Sequence, residues 1–190
     1  GFGQHTLADM QVGALSFGES DATSIFGGIS MMKRKSGKWL VGWGGKGVVV
    51  QSMESAERYW YSAGILGKLE YDSTRMKLGL AAGPGLIYYL FQSPSGVIGA
   101  DVLGFLLEAD VEFMLGSKFG LFVGFDSSGD GGAVSTSSMG IGFRVYARDS
   151  LAVQFSTANV SLSDTDGTLG AVEQNDLGDG SFSVGVMARW

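Results

Sequence analysis

Apolar residues recur at every second position along most of this chain. In LGFLLEADVEFML (103–115) one face carries only Leu, Phe, Ala and Val, whereas the opposite face includes three acidic residues. The same alternation runs through YWYSAGILGKLEY (59–71) and SMGIGFRVYA (138–147). Successive side chains of a β-strand point to opposite sides, so a period of two indicates strands with one apolar face. Because helical spacing fits almost nowhere, the chain is predicted to be all-β.

Ten strands can be placed in this way, and they form a single domain over residues 1–190. Short connections, such as DSTR (72–75), alternate with longer ones, such as FQSPSGVIGA (91–100). Tight turns at one end and longer loops at the other are typical of an antiparallel up-and-down barrel. An eight-stranded barrel is the alternative. The predicted strands are 4–16, 24–33, 39–47, 59–71, 75–89, 101–115, 118–126, 137–148, 150–160 and 181–190.

The DSTR turn predicts one specific contact between two strands. If Tyr71 pairs with Met76, then Glu70 and Lys77 lie opposite each other on one face. Opposite charges in such a position form a stabilising cross-strand pair.

Alternation alone fits a soluble barrel, with its apolar faces inside, or a membrane barrel, with its apolar faces outside. The clearest apolar faces hold about five to seven residues. This length suits strands of about 9–11 residues that cross a bilayer. The polar faces are rich in glycine, of which the chain has 32. Glycine suits a narrow interior better than a hydrated surface, which favours the membrane barrel.

The polar faces also carry five acidic and six basic residues that can neutralise one another. A buried charge needs a partner, so this set is interpreted as an ion-pair network that fills the lumen. Acid–base catalysis among the acidic residues of segment 103–115, or a pore lining, are the alternatives. The set comprises Asp9, Glu70, Glu108, Asp110 and Glu112 with Lys46, Lys68, Lys77, Arg144, Arg148 and Arg189.

Aromatic residues collect at the two ends of the apolar faces. Two aromatic rings separated by aliphatic residues are expected at the interfaces of a lipid-embedded barrel. Trp39, Tyr71, Phe119 and Trp190 are predicted near the short turns, and Phe17, Tyr59, Tyr88 and Phe125 near the long connections.

The terminal strand SFSVGVMARW (181–190) ends on an aromatic residue. Together with the alternation of short and long connections, it resembles small Gram-negative outer-membrane β-barrels of the OmpA and OmpX kind. In that family the last residue is commonly Phe, whereas here it is Trp190. The resemblance implies an outer-membrane location with both termini in the periplasm. It also implies contact with outer-membrane lipid and lipopolysaccharide, and recognition of the terminal strand by the barrel-assembly machinery.

Composition excludes several other functions. A net charge of −6 argues against nucleic-acid binding, and the absence of cysteine removes thiolate metal sites. DTDG (164–167) resembles the start of a calcium loop but lacks its downstream Glu, so neither metal nor cofactor is predicted. His5 has no serine at catalytic spacing and is interpreted as structural. No enzymatic activity is predicted.

The leading functional hypothesis is a non-enzymatic membrane anchor or surface-interaction barrel, or a very narrow channel. Five bulky residues on the inward faces favour a lumen plugged by side chains. They are Trp60, Leu66, Phe122, Tyr146 and Met187. The alternatives are a soluble lipocalin-like barrel that binds an apolar ligand and an outer-membrane lipid-modifying enzyme.

Overall fold

The computed structural model describes residues 6–16, 22–52, 58–93, 96–130, 134–149, 151–164 and 176–189. Within these residues the chain forms ten β-strands. In chain order they are β1 (Thr6–Ser16), β2 (Ala22–Ser36), β3 (Trp39–Ser52), β4 (Arg58–Asp72), β5 (Met76–Ser93), β6 (Gly96–Met114), β7 (Phe119–Gly129), β8 (Val134–Arg148), β9 (Leu151–Asp164) and β10 (Asp176–Arg189). No described residue belongs to a helix long and apolar enough to cross a membrane.

The ten strands close into one antiparallel barrel. Each strand pairs with its neighbours in sequence, and β10 pairs with β1 through eight residue pairs that include Val12 with Val186. Thr6 of β1 pairs with Lys33, next to the β2–β3 turn, so the first strand begins at the end of the barrel where the short turns lie. The predicted all-β up-and-down barrel with ten strands is confirmed.

At the end of the barrel opposite the short turns, the strands continue beyond their predicted limits. Ser93 pairs with Gly96, so only residues 94 and 95 separate β5 from β6. The predicted long connection at 91–100 is therefore wrong. The residues added to the two strands include two adjacent apolar pairs, Leu90–Phe91 and Val97–Ile98. The period of two that predicts a strand is therefore lost there, although backbone pairing continues.

The β4–β5 hairpin has a different register from the predicted one. Tyr71 pairs with Leu78 rather than Met76, and Lys77 therefore lies opposite Asp72 rather than Glu70. Ser73 fixes this register, because its backbone N donates to the Met76 carbonyl oxygen at 3.0 Å. Its hydroxyl also donates to that oxygen at 2.8 Å and accepts from the Met76 N at 3.0 Å. The result is a tight turn.

The apolar faces of the strands point outward. Phe105, Ile141 and Val186 are 56%, 61% and 45% exposed, whereas Glu112 is fully buried. A soluble barrel would bury the apolar set, so the lipocalin-like alternative does not fit this arrangement. The closed barrel, its apolar exterior and its charged interior are the architecture of a membrane-spanning β-barrel.

Glycines on the inward face make room for long side chains of the adjacent strand. A Cβ atom at Gly42 would lie 2.7 Å from Met32 Sδ, closer than real contacts allow. A Cβ at Gly120 would overlap with the Glu112 carboxylate, and one at Gly85 with Leu106. At these positions the large inward side chains therefore lie across neighbouring glycines.

A substitution at Gly83 tests this close packing. A Cβ there would overlap with the backbone oxygen of Ile65, which cannot rotate away. We expect Gly83→Ala to lower the free energy of unfolding by about 1–3 kcal/mol. Gly67→Ala is the control, since the nearest atom to its Cβ is the Ala82 oxygen at 3.8 Å. Denaturant unfolding in detergent micelles measures both. Equal effects of the two substitutions would contradict the packing described.

Candidate functional site

Glu112 of β6 is the centre of the largest polar cluster that the structure describes inside the barrel. Its side chain is fully buried and accepts a hydrogen bond from Arg144 Nη1 at 2.8 Å. The Tyr146 hydroxyl also donates to this carboxylate, lying 2.7 and 2.8 Å from its two oxygens. Charged and neutral donors therefore both stabilise the buried anion, as burial of a charge requires.

This cluster extends over four strands. Lys77 Nζ of β5 donates to the Tyr146 hydroxyl at 3.0 Å and lies 4.5 Å from the centre of its ring. Arg144 Nε donates to Gln154 Oε1 of β9 at 3.0 Å, and the guanidinium lies 4.3 Å from the Phe122 ring centre. We call Lys77, Glu112, Arg144, Tyr146 and Gln154 the Glu112 network.

Lys46 forms a second connection, which crosses the lumen. It extends from β3 to Glu108 on β6, with 2.7 Å between Nζ and Oε1, and also pairs with Asp126 on β7. These strands are three and four positions away from β3 around the ten-stranded barrel. The Lys46 bridge therefore connects opposite walls, and one ammonium group faces two carboxylates.

An apolar layer also occupies the lumen. Leu66, Ala81 and Leu106 contact one another and are almost completely buried. Ile87 is buried as well and lies over Gly104, where a Cβ would come within 2.6 Å of Ile87 Cδ1. The barrel interior thus contains hydrophobic packing in addition to ion pairs.

The short-turn half of the lumen contains a cavity of about 100 Å³. Its wall includes Lys68, Glu70 and Asp110, next to members of the Glu112 network. Asp110 lies across Gly79, where a Cβ would overlap with its carboxylate.

The structure brings most of the predicted lumen residues together. Lys46, Lys77, Glu108, Glu112 and Arg144 make the contacts described above, and Lys68, Glu70 and Asp110 line the cavity.

Arg148 was predicted to lie in the lumen, but the structure places it on the surface. It is exposed at the last position of β8, where the register shifts between Tyr146 and Arg148. The shift ends the alternation that would have directed it inward. The backbones of Asp9 and Arg189 pair across the β1–β10 ladder, but their side chains lie outside the described part, as do that of Trp60 and all of His5.

Two polar residues of the site were missed by the sequence prediction. Asp126 is the last residue of the predicted strand 118–126 and was left out of the predicted lumen set, whereas β7 continues to Gly129. Its parity is that of the inward Phe122, which is the signal that could have identified it. Gln154 carries no charge and sits in a strand with weak alternation, and no sequence signal identifies it.

Among the predicted interfacial aromatics, Trp39 and Tyr71 meet edge-on near the short turns, with ring centroids 5.1 Å apart. Tyr88 stacks on Tyr61 at 4.7 Å, toward the opposite end of β4 and β5. Phe119 and Phe125 are exposed on the outer face of β7. The side chain of Tyr59 and all of Phe17 and Trp190 lie outside the described part.

Several solved structures are similar to this chain. The NanC porin is 12% identical over 94% of this chain and 98% of that chain, with a TM-score of 0.47. Neisserial surface protein A (NspA) is 14% identical, covers 97% and 96%, and has a TM-score of 0.43. The β domain of the Bordetella autotransporter BrkA is 12% identical, covers 97% and 98%, and has a TM-score of 0.46. No protein-family model and no curated protein matches the sequence.

The fold is that of a small membrane β-barrel, as the apolar faces and the resemblance predicted. Identities of 12–14% carry no information about ligand or activity.

A double-mutant cycle tests whether Glu112 and Arg144 stabilise each other. Removal of one partner leaves the other charge buried and unpaired. We therefore expect Glu112→Leu and Arg144→Met each to lower the free energy of unfolding by about 3–5 kcal/mol. The double variant should lose clearly less than the sum. Arg148→Met, at an exposed site on the same strand, is the control and should change stability by no more than about 0.5 kcal/mol. Strictly additive losses would show that the pair is not coupled.

Proposed function

We propose that this chain is a bacterial outer-membrane barrel that acts as a non-conducting anchor. In this proposal the apolar exterior contacts outer-membrane lipid and both termini face the periplasm. The filled lumen makes the barrel a rigid support for the segments that connect its strands at the outer surface. The observation that carries the proposal is the occupancy of the lumen by side chains.

Three layers of side chains support a closed lumen. The Glu112 network joins β5, β6, β8 and β9, and its central carboxylate has no solvent exposure. The Lys46 bridge connects opposite walls. The apolar layer of Leu66, Ala81 and Leu106 adds hydrophobic packing on the inner faces of β4, β5 and β6. The interior of a barrel of about eight strands is just filled by side chains. With inward residues of this size, we expect the interior of a ten-stranded barrel to be filled in the same way.

The exterior supports insertion into lipid. Large apolar side chains are exposed on most strands, including Phe182, Val184 and Val186 of β10. On a water-soluble protein an apolar surface of this extent would cause association. The terminal strand that carries this face is the segment we expect the barrel-assembly machinery to recognise. We expect lipopolysaccharide to contact the end of the barrel that lies opposite the short turns.

We assign no catalytic role to the lumen carboxylates. Glu108 and Glu112 are held by Lys46 and Arg144 inside the barrel, and Asp126 pairs with Lys46 as well. An acid or base that attacks a lipid must reach the headgroup region, and these groups face the interior. A lipid-modifying activity therefore finds no support in their positions.

Planar-bilayer recording of the purified, folded protein tests the anchor proposal. We expect no stable ohmic conductance steps from the unmodified chain. Leu66→Ala with Leu106→Ala should increase ion leakage because it removes most of the apolar layer. Ile65→Ala with Leu107→Ala, which shortens outward side chains on the same strands, is the matched control and should remain silent. Regular single-channel steps from the unmodified protein would refute the anchor and favour the narrow channel.

A further inference from the structure

Seven basic side chains surround the short-turn end of the barrel, and all of them are exposed. We call this set the basic rim. It comprises Lys33, Arg34, Lys35, Lys38, Arg75, Lys118 and Arg148. The described acidic residues at the turns of this end are Asp72 and Asp149, so seven positive charges face two negative ones, an excess of five.

The sequences that connect the strands at the opposite end are acidic. The segments that connect the strands there are residues 17–21, 53–57, 94–95, 130–133 and 165–175. They contain seven acidic residues and no Lys or Arg. The chain as a whole is acidic, with a net charge of −6, so the basic rim is not a consequence of composition. Basic residues are concentrated at one end of the barrel.

The basic rim is continuous with the apolar exterior. Lys38 precedes the exposed Trp39, and Lys118 precedes the exposed Phe119. Leu115, which is exposed as well, ends the apolar face of β6 beside the turn that contains Lys118. Charged groups one residue beyond a lipid-facing aromatic lie at the level of the phospholipid headgroups, where Lys and Arg extend toward phosphate.

Most of the rim is free to bind a ligand. Within the part of the chain that the structure describes, the side chains of Lys33, Lys35 and Lys118 make no hydrogen bond or ion pair. Arg34 uses Nη1 to donate to the Gly37 carbonyl oxygen at 2.7 Å, which leaves its other donors available. Exposed ammonium and guanidinium groups in this arrangement fit phosphate oxygens.

We infer that the basic rim binds the headgroups of anionic phospholipids in the leaflet at the short-turn end, an inference that rests on the proposed membrane insertion. The ligand chemistry is a phosphodiester with net negative charge, such as phosphatidylglycerol. Clustered Lys and Arg beside a membrane-spanning segment attract anionic lipid, and this attraction weakens as salt increases. The rim would also orient the barrel, because only one end is attractive to such lipid.

Lipid retention tests the inference. The protein is folded into nanodiscs containing equal amounts of phosphatidylcholine and phosphatidylglycerol, extracted with mild detergent at low salt, and its retained lipid is measured by native mass spectrometry. We expect phosphatidylglycerol to be enriched over its bulk ratio. The variant K33Q/R34Q/K35Q/K38Q should lose most of this enrichment, and the charge-preserving K33R/K35R/K38R should keep it. Ser36→Gln with Ser117→Gln is the matched control at the same rim and should also keep it.

The outcomes separate the two proposals. Failure of the unmodified chain to fold into nanodiscs, seen as the absence of heat-modifiable gel migration, would overturn membrane insertion and with it the inference. A folded barrel with no enrichment, or with enrichment that persists in the Gln variant, would overturn the inference alone. No phosphatidylglycerol enrichment in the mixed discs, together with binding of soluble polyglutamate to the rim in pure phosphatidylcholine discs, would assign the rim to acidic proteins and also overturn the inference.

Discussion

The fold depends on one requirement, that backbone N–H and C=O groups in hydrocarbon must be paired within the protein. No water is available there, and each unpaired group costs several kcal/mol. A sheet satisfies this requirement only when it has no edge. The β1–β10 ladder removes the edge, and every described strand therefore has a partner on each side. Once the sheet is closed, alternation sends one row of side chains into lipid and the other into a narrow interior.

The narrow interior explains both the glycines and the ion pairs. A long side chain that points inward soon meets the opposite wall, so it lies across the adjacent strand, where only glycine leaves room. Glu112 over Gly120 and Asp110 over Gly79 are such pairs. Charges brought this close must be matched, and Arg144 and Lys46 provide the matching cations. The polar set is thus a consequence of closure, which is why Glu112 pairs with Arg144 and Glu108 with Lys46.

The fold and part of the site could be predicted because alternation reports directly on the environment of each face. The parity of Glu108 and Glu112 placed them inside, and the structure brings both to basic partners. Prediction failed where the period of two ends. Near Ser93 and Gly96 the apolar residues of β5 and β6 stand in adjacent pairs, Leu90–Phe91 and Val97–Ile98, and no longer alternate. Asp126 lies in β7 where the sequence turns to Asp, Ser and Gly. Arg148 was misplaced because a register shift changes parity and leaves no trace in composition.

Contact between the exposed apolar face and lipid is tested most directly by placing arginine at two equally exposed outward positions. Ile65 and Leu115 are both 65% exposed, but Ile65 lies mid-strand whereas Leu115 borders a short turn. In lipid vesicles we expect Ile65→Arg to lower the free energy of unfolding by about 2–4 kcal/mol and Leu115→Arg by at most about 1 kcal/mol. Equal and small effects at the two positions would show that this face is in water and not in lipid.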